Sequence, residues 1–323
     1  MVARGKEGYV ADSVRAMGLP YHGIRMKGLK DILFLRQLVK SLKIDIIHST
    51  LDRADYVGLI VGRITGTPVV STMMVPRCHP AYRFMDRVAV LSNKQRDILI
   101  AKGVLASKID VIRPGIDVKR FANPDPVKRE AWRARTSLDS FDIVFCHISS
   151  MLPRKAHMVS LEFIKACKER GFKPLLFIIG DPLEGDYVAS LRQFMTENGL
   201  EGHVVFTGWT RDVPEILSLC HYTTLPSADE ALGVVLMEGM AAGTPIIARA
   251  GEGGAELIEE YDTGFLYRPD VGITHLVDDI LSFHSNRDQY LRRSDRCKKI
   301  ASEDFSMHSV GQKLLTLYHG KSL

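Results

Sequence analysis

Two glutamates, Glu230 and Glu238, stand eight residues apart after a predicted strand, Tyr222 to Leu225. Eight residues of helix rise about 12 Å, so the two carboxylates can contact opposite ends of one extended ligand. A carboxylate accepts hydrogen bonds from vicinal hydroxyl groups such as those of a ribose. Gly233, between the two glutamates, lets a ligand approach the backbone closely. This spacing suits a ligand in which ribose, diphosphate and hexose lie in line.

The segment that follows Glu230 predicts a helix with an anion site at its start. Residues 231–242 are apolar and rich in Leu, Met and Ala, and the first free N–H groups of such a helix carry partial positive charge. We expect these groups to bind the diphosphate, Glu230 the hexose hydroxyls and Glu238 the ribose. The alternative is a capping acid and a solvated side chain. The candidate nucleotide-sugar-binding residues of this segment are Glu230, Ala231, Leu232, Gly233, Val234, Val235 and Glu238.

Residues 226–247 read PSADEALGVVLMEGMAAGTPII. They resemble the signature P-S-x-x-E-G-F-G-x-x-x-x-E-A-M-A-x-G-T-P-V-V of the retaining glycosyltransferases of GT-B fold in the GT4 group, also called glycosyl transferases group 1. Further matches follow the family's order: VIRPGID at 111–117, VFTG at 205–208 and DTGFLYRP at 262–269. The resemblance covers nearly the whole chain.

The resemblance also implies a cationic loop, here SSMLPRKAH at 149–157. The family carries an Arg and a Lys there, which neutralise the diphosphate as it leaves; fixed positive charge stabilises that developing charge in the transition state. This chain keeps Lys155, has Ser150 at the position of the Arg, and offers Arg154 as the nearest substitute. Solvent exposure is the alternative for both cations. Glu230 and Lys155 are the catalytic candidates.

Short apolar runs rich in β-branched residues alternate with helical patterns, which predicts parallel sheets. The fold class is therefore α/β, with two doubly wound Rossmann-like domains that face each other across a cleft, as in GT-B enzymes. We expect an acceptor-binding domain at 1–122, joined by the C-terminal helix 304–323, and a nucleotide-sugar-binding domain at 123–303. The predicted strands are Ile44 to His48, Pro68 to Thr72, Arg87 to Leu91, Ile109 to Arg113, Ile143 to Ile148, Leu175 to Gly180, Val204 to Thr207, Tyr222 to Leu225, Pro245 to Ala248 and Gly264 to Tyr267.

Two departures from the family concern the first domain. The chain begins at what corresponds to the family's second strand or its loop, Met1 to Gly8, so its first strand and glycine-rich loop are expected to be lacking. The family often has a histidine that contacts the transferred sugar where this chain has Met74. His79, five residues on, is the acceptor-side candidate, and a surface histidine is the favoured alternative.

The charge is asymmetric, since residues 1–135 hold 25 Lys and Arg against 12 Asp and Glu. A basic acceptor half suggests an anionic acceptor or an anionic membrane surface. The segment Arg25 to Lys43 predicts a basic amphipathic helix, whose apolar residues are Leu29, Ile32, Leu33, Leu35, Leu38 and Val39. We expect its apolar stripe to pack on its own domain, and membrane contact by its charges stays open. No signal peptide or membrane span is recognised, so a cytoplasmic location is expected, with peripheral contact at the inner face of the membrane as an option.

The five cysteines have no C-x-x-C spacing, no D-x-D occurs, and neither a P-loop nor a G-x-G-x-x-G is present. We therefore expect buried thiols, no metal, no cofactor and no nucleic-acid partner. The predicted function is retaining transfer of a hexose from a nucleoside diphosphate sugar to a glycan or glycolipid in polysaccharide or lipopolysaccharide synthesis. A UDP-sugar is favoured over a GDP-sugar. The alternatives are a GT-B sugar-nucleotide epimerase and a non-catalytic GT-B protein.

Overall fold

The computed structural model describes residues 2–4, 9–24, 28–182 and 184–320. They form two compact units. The first comprises the described residues up to Leu91, then Gln95–Val111 and those from Leu315 onward; the second comprises Ser92–Lys94 and Ile112–Leu314. The boundary between the two units thus falls after Val111, earlier than the predicted boundary between residues 122 and 123. The chain returns to the first unit at residue 315, later than the predicted residue 304.

The first unit contains two parallel sheets. One pairs β1 with β2, and the other has the order β3-β4-β5-β6. The elements up to Val111 are β1 (Val2–Arg4), α1 (Tyr9–Ala16), β2 (Tyr21–Gly23), α2 (Leu29–Ser41), β3 (Ile47–Thr50), α3 (Asp52–Thr65), β4 (Val69–Met73), β5 (Arg87–Val90), α4 (Asn93–Ala101) and β6 (Ile109–Val111).

Helix α2 occupies most of the segment predicted as a basic amphipathic helix. Its Leu35 and Val39 pack against Val57 and Val61 of α3, which confirms that an apolar stripe faces the protein. Leu29 and Leu33 were wrongly included in that stripe and are exposed. Six residues at 3.6 per turn place Leu35 about 120° around the helix from Leu29, so one stripe cannot contain both. Arg25 and Lys27 lie outside the described residues.

The second unit is built on one six-stranded parallel sheet of order β12-β11-β10-β7-β8-β9. Its elements, with the last helix, are α5 (Val118–Ala122), α6 (Pro126–Arg135), β7 (Ile143–Ile148), α7 (His157–Glu169), β8 (Pro174–Ile179), α8 (Asp186–Glu197), β9 (Val204–Gly208), α9 (Val213–Leu217), β10 (Tyr222–Leu225), α10 (Val234–Ala242), β11 (Ile246–Arg249), α11 (Ala255–Tyr261), β12 (Gly264–Tyr267), α12 (Thr274–Ser285), α13 (Arg287–Asp304) and α14 (Met307–Tyr318).

The strand order of this sheet reverses beside β7. From β7 the chain builds outward through β8 to the edge strand β9, then returns to the other side of β7 and builds β10, β11 and β12. Every residue of β8 is buried, as expected for a strand covered on both faces. In such doubly wound sheets, ligands bind outside the carboxyl ends of the strands where the order reverses. That position is the β7/β10 boundary.

Both units are α/β with parallel sheets, which confirms the predicted fold class. All five cysteines are free, and four of them are buried, in agreement with the expected thiols. Within the described part of the chain, no helix combines the length and the apolar character needed to cross a membrane.

Candidate functional site

The loops after β7 and β10 meet at the reversal point of the sheet. The carbonyl of Arg154, in the first loop, accepts a hydrogen bond of 2.8 Å from the N–H of Ala228 in the second. Next to this contact, Nζ of Lys155 lies 2.5 Å from a carboxylate oxygen of Glu230. Both side chains are mostly buried, with 13% and 17% of their surfaces exposed. The structure thus joins the two residues predicted to be catalytic in one ion pair.

The β10 loop is fixed from its other side by the segment that follows β11. The N–H of Glu230 donates to a carboxylate oxygen of Glu252 at 3.0 Å, and the carbonyl of Glu230 accepts from the N–H of Gly253 at 3.1 Å. The approach requires glycine, because a Cβ at position 253 would lie 1.9 Å from the carbonyl oxygen of Ala231. Glu252 was not identified from the sequence, although it lies within the GEGG run at 251–254.

A buried polar cluster holds the loop that carries Lys155. The rings of His147 and His157 stack with centroids 4.1 Å apart, and Oγ of Ser149 lies 3.1 Å from His147 and 3.0 Å from His157. The hydroxyl of Tyr187 accepts a hydrogen bond from the N–H of His157 at 3.0 Å. These contacts fix both ends of the loop, and none of them was predicted from the sequence.

Both histidines of this cluster are held neutral. Burial and the nearby Lys155 charge lower the pKa of His157 to about 4. Burial, the neighbouring His157 ring and the Lys155 charge hold the pKa of His147 well below its ordinary value. The ammonium group of Lys155 is therefore the positive charge of this loop that pairs with Glu230 at neutral pH. Arg154, in the same loop, is exposed.

Helix α10 begins later than the sequence indicated. It starts at Val234, not at residue 231, because Gly233 adopts a φ of +83° and ends the irregular loop. Ala231 and Leu232 are buried, so they can offer a ligand only backbone atoms. The free N–H groups at the start of α10 follow Gly233 directly. They carry partial positive charge and can bind an anion, as the sequence predicted.

Glu238 lies on α10, one turn beyond its start, and is partly buried. Burial raises the pKa of its carboxyl to about 7, against the opposing effect of the Arg120 guanidinium charge. Arg120 also donates a hydrogen bond of 2.9 Å to the carbonyl of Arg211. A carboxylate desolvated in this way gains more from hydrogen-bond donors such as sugar hydroxyls than one in water.

His79 lies in the first unit, and the surface position favoured for it is wrong. Only 8% of its surface is exposed, its Nε2 lies 2.9 Å from a carboxylate oxygen of Asp55, and its ring stacks on Tyr82 with centroids 4.0 Å apart. Asp55 is fully buried and also accepts hydrogen bonds of 2.6 Å from Ser49 and Ser71. The local sequence offered no signal for Asp55, since Val57 and Val61 lie about 160° and about 120° away from it around the helix.

Replacing Asp55 by alanine should lower the free energy of unfolding by about 3 kcal/mol, because it leaves three buried donors without their acceptor. Urea denaturation followed by circular dichroism measures the change. Asp52→Ala is the matched control on the same helix: its ion pair with Arg77 is 3.9 Å long and exposed, so a loss under about 1 kcal/mol is expected. Equal losses in both variants would contradict the role given to Asp55.

Within the described ranges, no group of three or more His, Cys, Asp or Glu side chains is arranged to hold a metal ion. The predicted absence of a metal and a cofactor stays a prediction.

Residues 128–303, just over half of the chain, match the family model described as Glycosyl transferases group 1. The chain is 27% identical over 282 residues to UDP-Gal:alpha-D-GlcNAc-diphosphoundecaprenol alpha-1,3-galactosyltransferase of Escherichia coli, an alignment that covers 80% of this chain and 72% of the relative. It is 30% identical over 190 residues to a GDP-mannose-dependent alpha-(1-6)-phosphatidylinositol monomannoside mannosyltransferase of Mycobacterium tuberculosis, covering 56% of this chain. The chain spans about half of that relative's length, 48%.

Solved structures share the fold. Alr3699/HepE of Anabaena, in complex with UDP, has a TM-score of 0.87 at 22% identity, and the match covers 98% of this chain and 91% of that one. A glycosyltransferase of Rickettsia africae has a TM-score of 0.86 at 18% identity, covering 97% and 88%. At these identities the likeness shows the fold alone, and it agrees with the GT-B fold expected from the sequence.

Proposed function

The chain belongs to the glycosyl transferases group 1, and we propose that it transfers a hexose from a nucleoside diphosphate sugar to a hydroxyl group of a glycan or glycolipid, with retention at the anomeric carbon. The observation that carries the proposal is the Lys155–Glu230 ion pair at the reversal point of the sheet, next to a helix that presents its N-terminus and Glu238. One extended ligand can reach all three.

Each part of the site has a proposed role. Glu230 binds hydroxyl groups of the hexose. Lys155 and the first N–H groups of α10 bind the diphosphate. Glu238 accepts hydrogen bonds from the ribose hydroxyls. The assignment follows the order of these groups, because Glu230 precedes the helix N-terminus and Glu238 lies one turn inside it.

The proposed reaction breaks the bond between the anomeric carbon and the diphosphate oxygen and forms a bond from that carbon to the acceptor oxygen. The acceptor's proton passes to the departing diphosphate on the same face of the sugar. Lys155 stabilises the negative charge that develops on the diphosphate. The scheme needs no second carboxylate opposite the first, such as retaining glycosidases use.

A UDP-sugar is the favoured donor, and a GDP-sugar is the alternative. UDP is bound in the Anabaena structure, and the two relatives named above carry UDP-Gal and GDP-mannose in their names. A glycan or glycolipid acceptor is in keeping with the diphosphoundecaprenol and phosphatidylinositol acceptors of the same names. A role in cell-surface polysaccharide or lipopolysaccharide synthesis follows from such acceptors.

Peripheral contact with an anionic membrane is part of this proposal. Helix α2 exposes 70% of Leu29 and 52% of Leu33, which lie one turn apart. Lys30 and Lys40 are exposed beside them. Apolar side chains flanked by cations on one helix face are typical of helices that lie in a membrane interface.

Calorimetric titration of the protein with UDP and GDP, followed by incubation with the matching sugar nucleotides, tests the proposal. Saturable binding together with slow release of the sugar supports a transferase and identifies the donor base. Binding without sugar release, even with acceptor extracts present, would favour a non-catalytic protein. Conversion of the sugar nucleotide to its epimer would favour an epimerase.

The proposed contact of Glu238 with the ribose makes the affinity for UDP depend on pH. With a carboxyl pKa of about 7, the carboxylate forms as the pH rises, so UDP affinity should increase by about tenfold between about pH 6 and about pH 8. In Glu238→Gln, the remaining change should reflect only the second ionisation of UDP itself, which is common to both proteins. Calorimetry at several pH values measures the difference.

Glu238→Ala should weaken UDP binding by about tenfold or more, because the ribose loses a charge-assisted acceptor. Glu197→Ala, an exposed change on α8, serves as the control and should leave binding as it was. Identical pH profiles in the parent protein and Glu238→Gln would remove Glu238 from the nucleotide site.

A further inference from the structure

Glu252 holds the backbone of Glu230 and is itself paired with a lysine. Nζ of Lys94 lies 2.7 Å from a carboxylate oxygen of Glu252, and the same oxygen accepts the hydrogen bond of 3.0 Å from the N–H of Glu230. The ion pair is partly shielded from water, since 35% of the Lys94 side chain and 13% of the Glu252 side chain are exposed. Both residues belong to the second unit. Lys94 is thus linked to the candidate site through a single carboxylate.

The backbone around Lys94 is anchored to the segment that carries Glu252. The N–H groups of Asn93 and Lys94 each donate a hydrogen bond of 2.8 Å to the carboxylate of Glu256, which lies on α11, four residues after Glu252. An ion pair between two freely moving surface side chains contributes little. Here the hydrogen bonds to a charged acceptor hold the two residues close together.

The carboxylate of Glu252 has two opposite effects on the candidate site. As an acceptor, it fixes the N–H of Glu230, whose side chain is proposed to hold the hexose. As a negative charge, it lies beside the loop that leads to the proposed diphosphate site, and like charges in a partly desolvated site repel each other. Glu230 and Lys155 already balance each other, so Glu252 without a partner would leave this group of side chains with a net negative charge.

We propose that Lys94 neutralises Glu252, so that Glu252 positions Glu230 without repelling the diphosphate of the donor. Both are positioning residues in this inference, and neither is assigned a contact with the ligand. The inference rests on the proposed function, since it takes the ligand to be an anionic nucleotide. Neither residue was a candidate from the sequence, where Lys94 and Glu252 are 158 residues apart.

Lys94→Met keeps most of the length of the side chain but removes its charge, and it should weaken UDP binding by about tenfold because Glu252 then repels the diphosphate. Lys94→Arg keeps the charge and should bind UDP within about threefold of the parent protein. Lys299→Met, an exposed change on α13, is the matched control for the loss of one positive charge and should leave UDP affinity as it was. Calorimetric titration measures all four proteins, with GDP instead if the parent protein binds that nucleotide.

A second substitution separates the charge of Lys94 from its contacts. Glu252→Gln removes the negative charge but keeps a side-chain oxygen that accepts the N–H of Glu230, so this variant should bind UDP as tightly as the parent protein or more tightly. Combined with Lys94→Met, it leaves neither charge, and UDP affinity should return to within about threefold of that of the parent protein. If Lys94 instead contacted the diphosphate directly, or only stabilised the fold, the double variant would bind UDP no better than Lys94→Met.

Glu252→Ala tests the positioning of Glu230. It removes the acceptor of the Glu230 N–H, so kcat should fall by about tenfold as the hexose-binding carboxylate loses its fixed position. UDP affinity should not decrease, because no negative charge remains at position 252. Glu252→Gln, which keeps the acceptor, should retain kcat to within about threefold. Steady-state kinetics measures kcat, and circular dichroism checks that each variant folds.

The outcomes separate this inference from the proposed function. If the parent protein binds UDP or GDP, and either Lys94→Met binds it equally well or the double variant binds it no better than Lys94→Met, the role of Lys94 is overturned and the proposed function stands. An unchanged kcat in Glu252→Ala would overturn the positioning of Glu230 by Glu252. If the parent protein binds neither nucleotide, the proposed function fails and the inference fails with it.

Discussion

Lys155→Ala should lower turnover by about 100-fold to about 1000-fold. The ammonium group lies 2.5 Å from a carboxylate oxygen of Glu230, and the two neighbouring histidines are held neutral by burial and by Lys155 itself. Neither histidine can replace the lost charge at neutral pH. Without it, the proposed scheme leaves the N–H groups of α10 to stabilise the negative charge of the departing diphosphate. Donor KM should rise as well, because the diphosphate is already charged in the ground state.

The control for this change is Lys165→Ala, on helix α7 after the same loop. Lys165 forms an exposed ion pair of 3.2 Å with Glu169, so its removal changes the charge of the protein equally but not that of the site. Turnover should stay within about twofold. Steady-state kinetics with a donor sugar nucleotide, and hydrolysis rates without acceptor, measure both variants. Full turnover in Lys155→Ala would exclude a role for this cation in leaving-group departure.

Glu230→Ala should also lower turnover by about 100-fold, but with a different kinetic signature. The carboxylate is proposed to hold the hexose and not the nucleotide, so the affinity for UDP should not fall. The loss of Glu230 also frees Lys155 from this ion pair, and UDP should then bind as tightly as before or more tightly. A decrease in kcat without a decrease in UDP affinity distinguishes this variant from Lys155→Ala, which weakens both.

Glu259→Ala, an exposed change on α11, controls for the removal of a carboxylate from the same unit. UDP affinity is measured by calorimetry and turnover with the donor identified from the binding series. Loss of UDP binding in Glu230→Ala, with its kcat preserved, would reverse the roles assigned to Glu230 and Glu238. The backbone carbonyl of Glu230 accepts the hydrogen bond from the Gly253 N–H. Alanine keeps this carbonyl, so the loop should stay folded.

The ten strands expected from the sequence are all present, and three have the expected bounds: β7, β10 and β12. They are recognisable because buried parallel strands are short, apolar and rich in β-branched residues. The others differ by a few residues at their ends, where pairing with a neighbour decides the boundary. Strand β2 was not predicted, and β1 lies within Met1 to Gly8, where the sequence indicated a strand or its loop.

The site was predictable only in part, because single residues could be identified but not their contacts. Lys155 and Glu230 are 75 residues apart, and their pairing depends on β10 lying beside β7, which local sequence does not encode. The start of α10 shifted because Gly233 takes a conformation with positive φ that an apolar run does not reveal. His79 was misplaced for a similar reason, since its buried partner Asp55 comes from a different element.

The ion pair of Lys155 with Glu230 gives each of these charges a partner within the protein. An anion that approaches Lys155 must compete with a carboxylate already 2.5 Å away. Inorganic phosphate brings charge but no sugar hydroxyls for the displaced Glu230, so it gains little by entering. A nucleotide sugar brings both an anion for the lysine and hydroxyl groups for the glutamate. We therefore expect inorganic phosphate to bind weakly at Lys155, and a nucleotide sugar to bind more tightly because it can satisfy both partners of the ion pair.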